Sequence, residues 1–188
     1  MSSHHVVREN QEPALVVENF HTLSNDHLGQ ILEWSPTIIT NLENLDFFLS
    51  EGIKVDVVFG TETDFYPIQE EIKFITIKKS FLEDALEYLI TSKHKAVNIL
   101  ADSKFDDILS YSSQLNLVLF CTGIRFVSVR NMYEKWKRKG DRMYVDPAII
   151  KSFTGLRFLG NQDFEVEQDG FVRLEFNTDK FVFIGEEF

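Results

Sequence analysis

The sequence has a single cysteine, Cys121, so no internal disulfide can staple the chain. Proline and glycine are scarce at 4 and 9, while phenylalanine reaches 18, the reverse of the proline-rich, aromatic-poor composition of disordered chains. No apolar run approaches the roughly 18 residues a membrane helix needs. The polar start Met1-Ser2-Ser3-His4-His5 has neither the charged head nor the apolar stretch of a secretion signal. The chain is therefore expected to be soluble and cytoplasmic, without a membrane partner. Basic charge is also short, 19 Lys and Arg against 30 Asp and Glu, and the net −11 disfavours phosphate backbones, so no nucleic acid partner is expected. Gly-x-x-x-x-Gly-Lys-Ser/Thr, Gly-x-Gly-x-x-Gly and Gly-x-Ser-x-Gly are missing, which closes the commonest routes to nucleotide binding and acyl transfer. His4 and His5 are adjacent, and His21, His27 and His94 are scattered without metal-ligand spacing, so a zinc site is not expected.

What remains is 188 residues, 44% hydrophobic, enough to bury a core in one domain or two small ones. Apolar and helical blocks alternate through the first two thirds. Ala14 to Val17 reads as a strand, and Ser24 caps a helix carrying Leu28, Ile31 and Leu32. Pro36 to Thr40 reads as a second strand. Thr40 and Glu43 suggest a capping box for a helix with Leu42, Leu45, Phe48 and Leu49 on one face, ended by Gly52. Val55 to Gly60 and Lys73 to Ile77 read as strands on either side of a polar connection. Ser80 and Glu83 form a second capping box ahead of Leu82, Ala85, Leu86, Leu89 and Ile90 at helical spacing. Ala96 to Leu100 reads as strand, Asp102 to Ser113 as a helix with Phe105, Ile108 and Leu109 inward, and Leu115 to Phe120 as strand.

Beyond residue 120 the rhythm turns to strands and turns, with Asn131 to Arg142 a basic linker or short helix and short aromatic strands from Met143 onward. The expected fold is α/β. A mostly parallel, Rossmann-like sheet flanked by helices fills residues 1–130, and a small antiparallel β domain, a single sheet or half sandwich, fills 131–188.

Three stretches in order, Gly52-Ile53-Lys54-Val55-Asp56-Val57-Val58-Phe59-Gly60, then Ser80-Phe81-Leu82-Glu83-Asp84-Ala85-Leu86, then Asp102-Ser103-Lys104-Phe105-Asp106, resemble the thiamine pyrophosphokinase family. Gly155-Leu156-Arg157-Phe158 looks like the Gly-Leu-Lys-Tyr that opens that family's C-terminal sheet, so the resemblance spans nearly the whole chain. It implies transfer of pyrophosphate from ATP, with Mg2+, to the hydroxyl of thiamine. It also implies an N-terminal domain that holds ATP and metal, a β domain that helps form the thiamine pocket, and a homodimer that shares the sites.

The family's metal ligands are largely replaced here. Gly-Asp-x-Asp-Ser becomes Gly60-Thr61-Glu62-Thr63-Asp64, which keeps Gly60 but displaces the acids by one position, and in an extended segment one position reverses the face. Asp-x-Thr-Asp-Leu-Glu becomes Lys78-Lys79-Ser80-Phe81-Leu82-Glu83, and Gly-Gly-Arg-x-Asp-His becomes Asp102-Ser103-Lys104-Phe105-Asp106-Asp107. The Ala-Asp-Gly-Gly turn becomes Thr40-Asn41-Leu42-Glu43, without glycine. By this resemblance Glu62, Asp64 and Asp106 are the candidate catalytic and Mg2+-binding residues, and Gly60, Ser80 and Lys104 the candidate ATP-binding residues. Phosphoryl transfer depends on positioned charge, so the replacements favour a non-catalytic relative, a thiamine- or nucleotide-binding module or a homodimeric interaction protein, over an active enzyme.

Each candidate also has a plainer explanation. Ser80 and Glu83 are accounted for by helix initiation, and Asp102, Asp106 and Asp107 by the positive end of a helix dipole. Glu62, Asp64, Glu70 and Glu71 fit a solvated acidic loop. Lys135, Lys137, Arg138, Lys139 and Arg142 around Trp136, with Tyr133 and Tyr144 nearby, suit either a nucleotide or acidic partner, or a linker lying on the acidic body of the protein.

Overall fold

The computed structural model describes residues 12–23, 25–33, 37–61, 71–102 and 106–187. The chain forms two compact units, residues 1–104 with 114–122, and residues 105–113 with 123–188. The division of packing at 122 and 123 precedes the boundary expected at 130 and 131, because residues 124–130 pair along their length with the C-terminal strand.

The first unit follows the expected alternation: β1 (Ala14–Val17), α1 (Asn25–Glu33), β2 (Ile38–Asn41), α2 (Leu42–Ser50), β3 (Val57–Gly60), β4 (Lys73–Thr76), α3 (Phe81–Thr91), β5 (Ala96–Leu100) and, after an excursion into the second unit, β6 (Asn116–Cys121). The strands lie in the order β6-β5-β1-β2-β3-β4, all parallel. Central β1 is fully buried, as an unbroken Ala-Leu-Val-Val run requires.

Helix α3 begins at Ser80, whose hydroxyl accepts from the Glu83 N–H and lies 2.7 Å from Glu83 Oε2, and it buries Leu82, Ala85, Leu86 and Leu89. Full burial of each leucine contributes roughly 1.5–3 kcal/mol. Helix α2 corrects the expected cap. Asn41, the last residue of β2, is its N-cap in place of Thr40, accepting from the Asn44 N–H at 3.1 Å, because the Thr40 hydroxyl is already donated to Val17 O. The Ser24 cap and Pro36 lie outside the described residues.

At the amino ends of the strands His94 is 5% exposed, with Nε2 3.3 Å from Thr37 Oγ1 and Nδ1 without a partner among the described residues. Burial lowers its pKa below the ordinary 6.5 more than the Leu89 backbone bond raises it. The folded protein thus keeps His94 neutral where the unfolded chain would take up a proton. That stability is complete above about pH 6.5 and declines as pH falls toward the lower folded value. The urea midpoint should accordingly fall between pH 7 and pH 5, and fall less in His94→Gln. An equal fall in both would exclude His94 as the source.

The second unit opens with residues 106–113 as a helix of 3-10 type, within the helix expected over Asp102 to Ser113. Its serines explain the tighter turn: Ser110 and Ser113 donate to the carbonyls of Asp107 and Ser110, three residues back. Ile108 is buried and Leu109 half-buried, while Phe105 lies outside the described residues. The strands follow: β7 (Ile124–Arg130), β8 (Met132–Lys137), β9 (Arg142–Tyr144), β10 (Ile150–Thr154), β11 (Leu156–Gly160), β12 (Asp163–Val166), β13 (Gly170–Phe176) and β14 (Phe181–Glu187).

They pair antiparallel in two rows, β11-β12-β9-β14-β7 and β10-β13-β8. Both contribute to one core, where Phe164, Val166, Leu174 and Ile184 are essentially unexposed. Where a single sheet or half sandwich is expected, two rows of antiparallel strands share this core. The basic stretch read as a linker or short helix is mostly strand. Tyr133, Lys135 and Lys137 alternate with Met132, Glu134 and Trp136, and β8 is paired with β13 from Met132 to Lys137.

Candidate functional site

A parallel sheet wound outward in two directions binds ligands at the carboxyl ends of its strands, where the winding reverses. In this order the reversal falls at β1, with β2 to one side and β5 to the other. The residues leaving those strand ends are Glu18, Asn19, Asn41 and Asp102.

Most of their hydrogen-bonding capacity is spent on the fold. Val17 O accepts from Thr40 Oγ1 at 3.0 Å and Asn44 Nδ2 at 3.3 Å, and Glu18 O accepts from Asn44 Nδ2 at 2.8 Å and Asn41 Nδ2 at 3.3 Å. These amides satisfy carbonyls that the ends of β1 would otherwise bury unpaired. Asn19 Nδ2 donates to Asp102 Oδ2 at 2.8 Å, joining the ends of β1 and β5. Glu18 has its pKa raised, first by burial and then by the charge of Asp102. The crest is polar and acid-bearing, and it repels a free anion.

Gly60 closes β3 at the same edge. A Cβ built on Gly60 would lie 2.2 Å from Leu42 Cδ1 and 2.7 Å from Leu42 Cγ, so Leu42, the first residue of α2, lies across this glycine. Ile77 N donates to Gly60 O at 3.0 Å, which brings the chain leading to Ser80 to the same edge. The structure thus assembles Gly60 and Ser80 at one crest, with the Ser80 hydroxyl engaged by Glu83.

Asp106 belongs to the second unit, where it lines a cavity of about 480 Å3 with Lys180 and Phe181. Glu62, Asp64 and Lys104 lie outside the described residues. Among the described residues no group of three or more Asp, Glu, His or Cys side chains could hold a metal ion. The described residues do not compose a Mg2+ site, and no chemical step through the metal follows from them.

Sequence reasoning missed Glu18, Asn19 and Asn44. Their signal was positional: Glu18-Asn19 directly follows the first buried strand, at the end a parallel sheet offers to ligands.

The second unit holds a different opening. Phe153, Phe158 and Phe164 meet ring to ring, with centroids 5.4 Å and 4.9 Å from Phe164, and line a cavity of about 380 Å3 with Pro147, Ile150 and Lys151. Phe153 and Phe158 are both more than two-fifths exposed.

A parallel α/β unit with its crest at the reversal of winding, joined in sequence to an antiparallel β-sandwich, defines the class of fold. The particular fold is that of the thiamine pyrophosphokinases. The enzyme structure from Bacillus subtilis matches with a TM-score of 0.66 at 13% identity, over 93% of this chain and 97% of that one. The Geobacillus thermodenitrificans structure matches at 0.66 and 12%, covering 93% and 96%, and the Candida albicans structure at 0.65 and 9%, covering 94% and 89%. No family sequence model and no curated protein matches the chain. Among the described residues no helix is long and apolar enough to cross a membrane.

Proposed function

We propose that this protein has kept the thiamine pyrophosphokinase fold as a homodimeric module that binds a small ligand, thiamine or a nucleotide, without transferring pyrophosphate. The observation that carries this reading is Leu42 lying over Gly60. Phosphate groups approach a sheet crest where glycine exposes the backbone N–H groups of the turn and helix start. Here α2 begins with leucine, its branched end fills the space above the β3 terminus, and the nearby acids repel phosphate unless a cation intervenes. The Phe153–Phe158 cavity supports ligand binding, because partly exposed rings offer a flat aromatic ligand a stacking surface.

The test is to incubate the full chain with thiamine, ATP and Mg2+ beside an active pyrophosphokinase and to look for thiamine diphosphate and AMP by mass spectrometry. Neither product is expected. Appearance of both, lost on Asp106→Asn, would overturn the reading in favour of an enzyme in which Glu62, Asp64 and Asp106 have regrouped around the metal.

A further inference from the structure

Strand β14 carries Val182, Ile184 and Glu186 in the same alternation, so a carboxylate occupies a position where its neighbours face the core. Glu186 is 5% exposed. From the opposite sheet, β8 presents Tyr133, Lys135 and Lys137 to it. The Tyr133 hydroxyl donates to Oε1, Lys135 Nζ lies 3.1 Å from Oε1 and 2.8 Å from Oε2, and Lys137 Nζ lies 3.1 Å from Oε2. Arg125, the register partner of Glu186 on β7, places Nη1 3.8 Å from Oε2.

The charges do not balance. Three cations surround one carboxylate, leaving a formal excess of two positive charges in a chain whose net charge is −11. Proton transfer does not relieve the excess. Burial alone would raise the Glu186 pKa, but the donors on Lys135, Tyr133 and Lys137 outweigh it and hold it down to about 2. Tyr133 is pushed upward, first by burial and then by Glu186, so it stays a neutral donor.

A buried pair requires one cation for one carboxylate, and burying further cations is costly unless they find a counter-charge. Tyr133 and Lys135 already satisfy Glu186, yet the Lys137 side chain is held at 10% exposure beside it. Lys135 and Arg125 remain 45% and 36% exposed, so their remaining N–H donors reach solvent.

We propose that Lys135, Lys137 and Arg125, held in place by Glu186 and Tyr133, form a binding site for a phosphate-like oxyanion. The anion meets the solvent-facing donors of Lys135 and Arg125, and Glu186 serves as the internal template that keeps the three cations convergent. The site belongs wholly to the second unit and is independent of the reading of the sheet crest.

The experiment titrates inorganic phosphate into the full chain by calorimetry at fixed ionic strength, with chloride as the control anion and ATP as a second arm. Phosphate should bind and chloride should not. Lys135→Gln, which leaves Lys137 and Tyr133 on Glu186, should weaken phosphate by about tenfold or more, the loss expected for one charged hydrogen-bonding partner. Glu186→Gln keeps an amide oxygen to accept from Tyr133 and Lys135 and removes only the charge, so if it folds it should tighten phosphate several-fold as the excess rises to three charges; a network serving only the fold gives no such gain. Should Glu186→Gln fail to fold, Arg125→Gln replaces it and should weaken phosphate as Lys135→Gln does. Weakening of the ATP arm by the same Lys135→Gln change would assign the oxyanion to a nucleotide, and weakening of inorganic phosphate alone to the free ion. Phosphate binding no tighter than chloride, or equal in Lys135→Gln and the parent, overturns the proposal.

Discussion

Gly60→Ala will destabilise the protein by about 1–3 kcal/mol, the range for forcing an extra carbon into a filled space. The new Cβ would meet Leu42 Cδ1 at 2.2 Å and Leu42 Cγ at 2.7 Å. Rotation of the leucine tip can move Cδ1 away but leaves Cγ in place, so either α2 must shift or Leu42 must adopt a new rotamer at its first torsion. The measurement is urea unfolding of Gly60→Ala, Leu42→Ala and the double variant. If Leu42 covers Gly60, the double variant loses much less than the sum of the two single ones, a coupling that residues in direct contact show and distant ones do not. Strict additivity would separate the two residues and remove the support for the non-catalytic reading.

Phe164→Ala should produce the largest loss of any single change in the second unit, about 3–5 kcal/mol. Phe164 is 1% exposed, pairs with Phe158 across β11 and β12, and touches both partly exposed rings that border the 380 Å3 cavity. Truncation removes the floor on which Phe153 and Phe158 rest. In a chain of this length each kcal/mol moves Tm by roughly 2–4 °C, so thermal unfolding should report a fall of roughly 6–20 °C. A change below about 1 kcal/mol would mean that the two outer rings collapse into the vacancy and that the cavity is not rigidly built.

The sequence made some parts of this molecule legible for identifiable reasons. Helix α3 announces itself because its cap and its apolar period agree. The buried strands of the first unit are equally plain, because parallel strands covered on both faces need continuous apolar text. The start of α2 was misplaced by one residue, since Thr40 and Asn41 are both good caps, and only the tertiary bond from Thr40 to Val17 O decides between them.

The basic segment misled more seriously. A strand with tyrosine and lysine on its inward face breaks the rule that buried alternation is apolar, and only Glu186 on a distant strand explains it. The signal was present, because Glu186 keeps phase with Val182 and Ile184, but a partner 51 residues away is invisible to local patterning. The covering of Gly60 was likewise beyond local reading. That Leu42 stands where the motif it resembles has glycine could be seen in the text, and the place its side chain fills could not.

The order of the strands also governs how the chain can be made. On its β5 side, β1 finds its partner only when Ala14 meets Val97 and Val17 meets Leu100. The sheet is completed later still, by β6, after the chain has passed through residues of the other unit. During synthesis from the amino end, an Ala-Leu-Val-Val strand therefore keeps one open hydrogen-bonding flank until residue 100 has emerged. At about 5–20 residues per second that interval lasts several seconds. Until then β1 presents an unpaired edge to whatever strand it meets, and slowing translation between β2 and β5 would lengthen that exposure rather than help the chain fold.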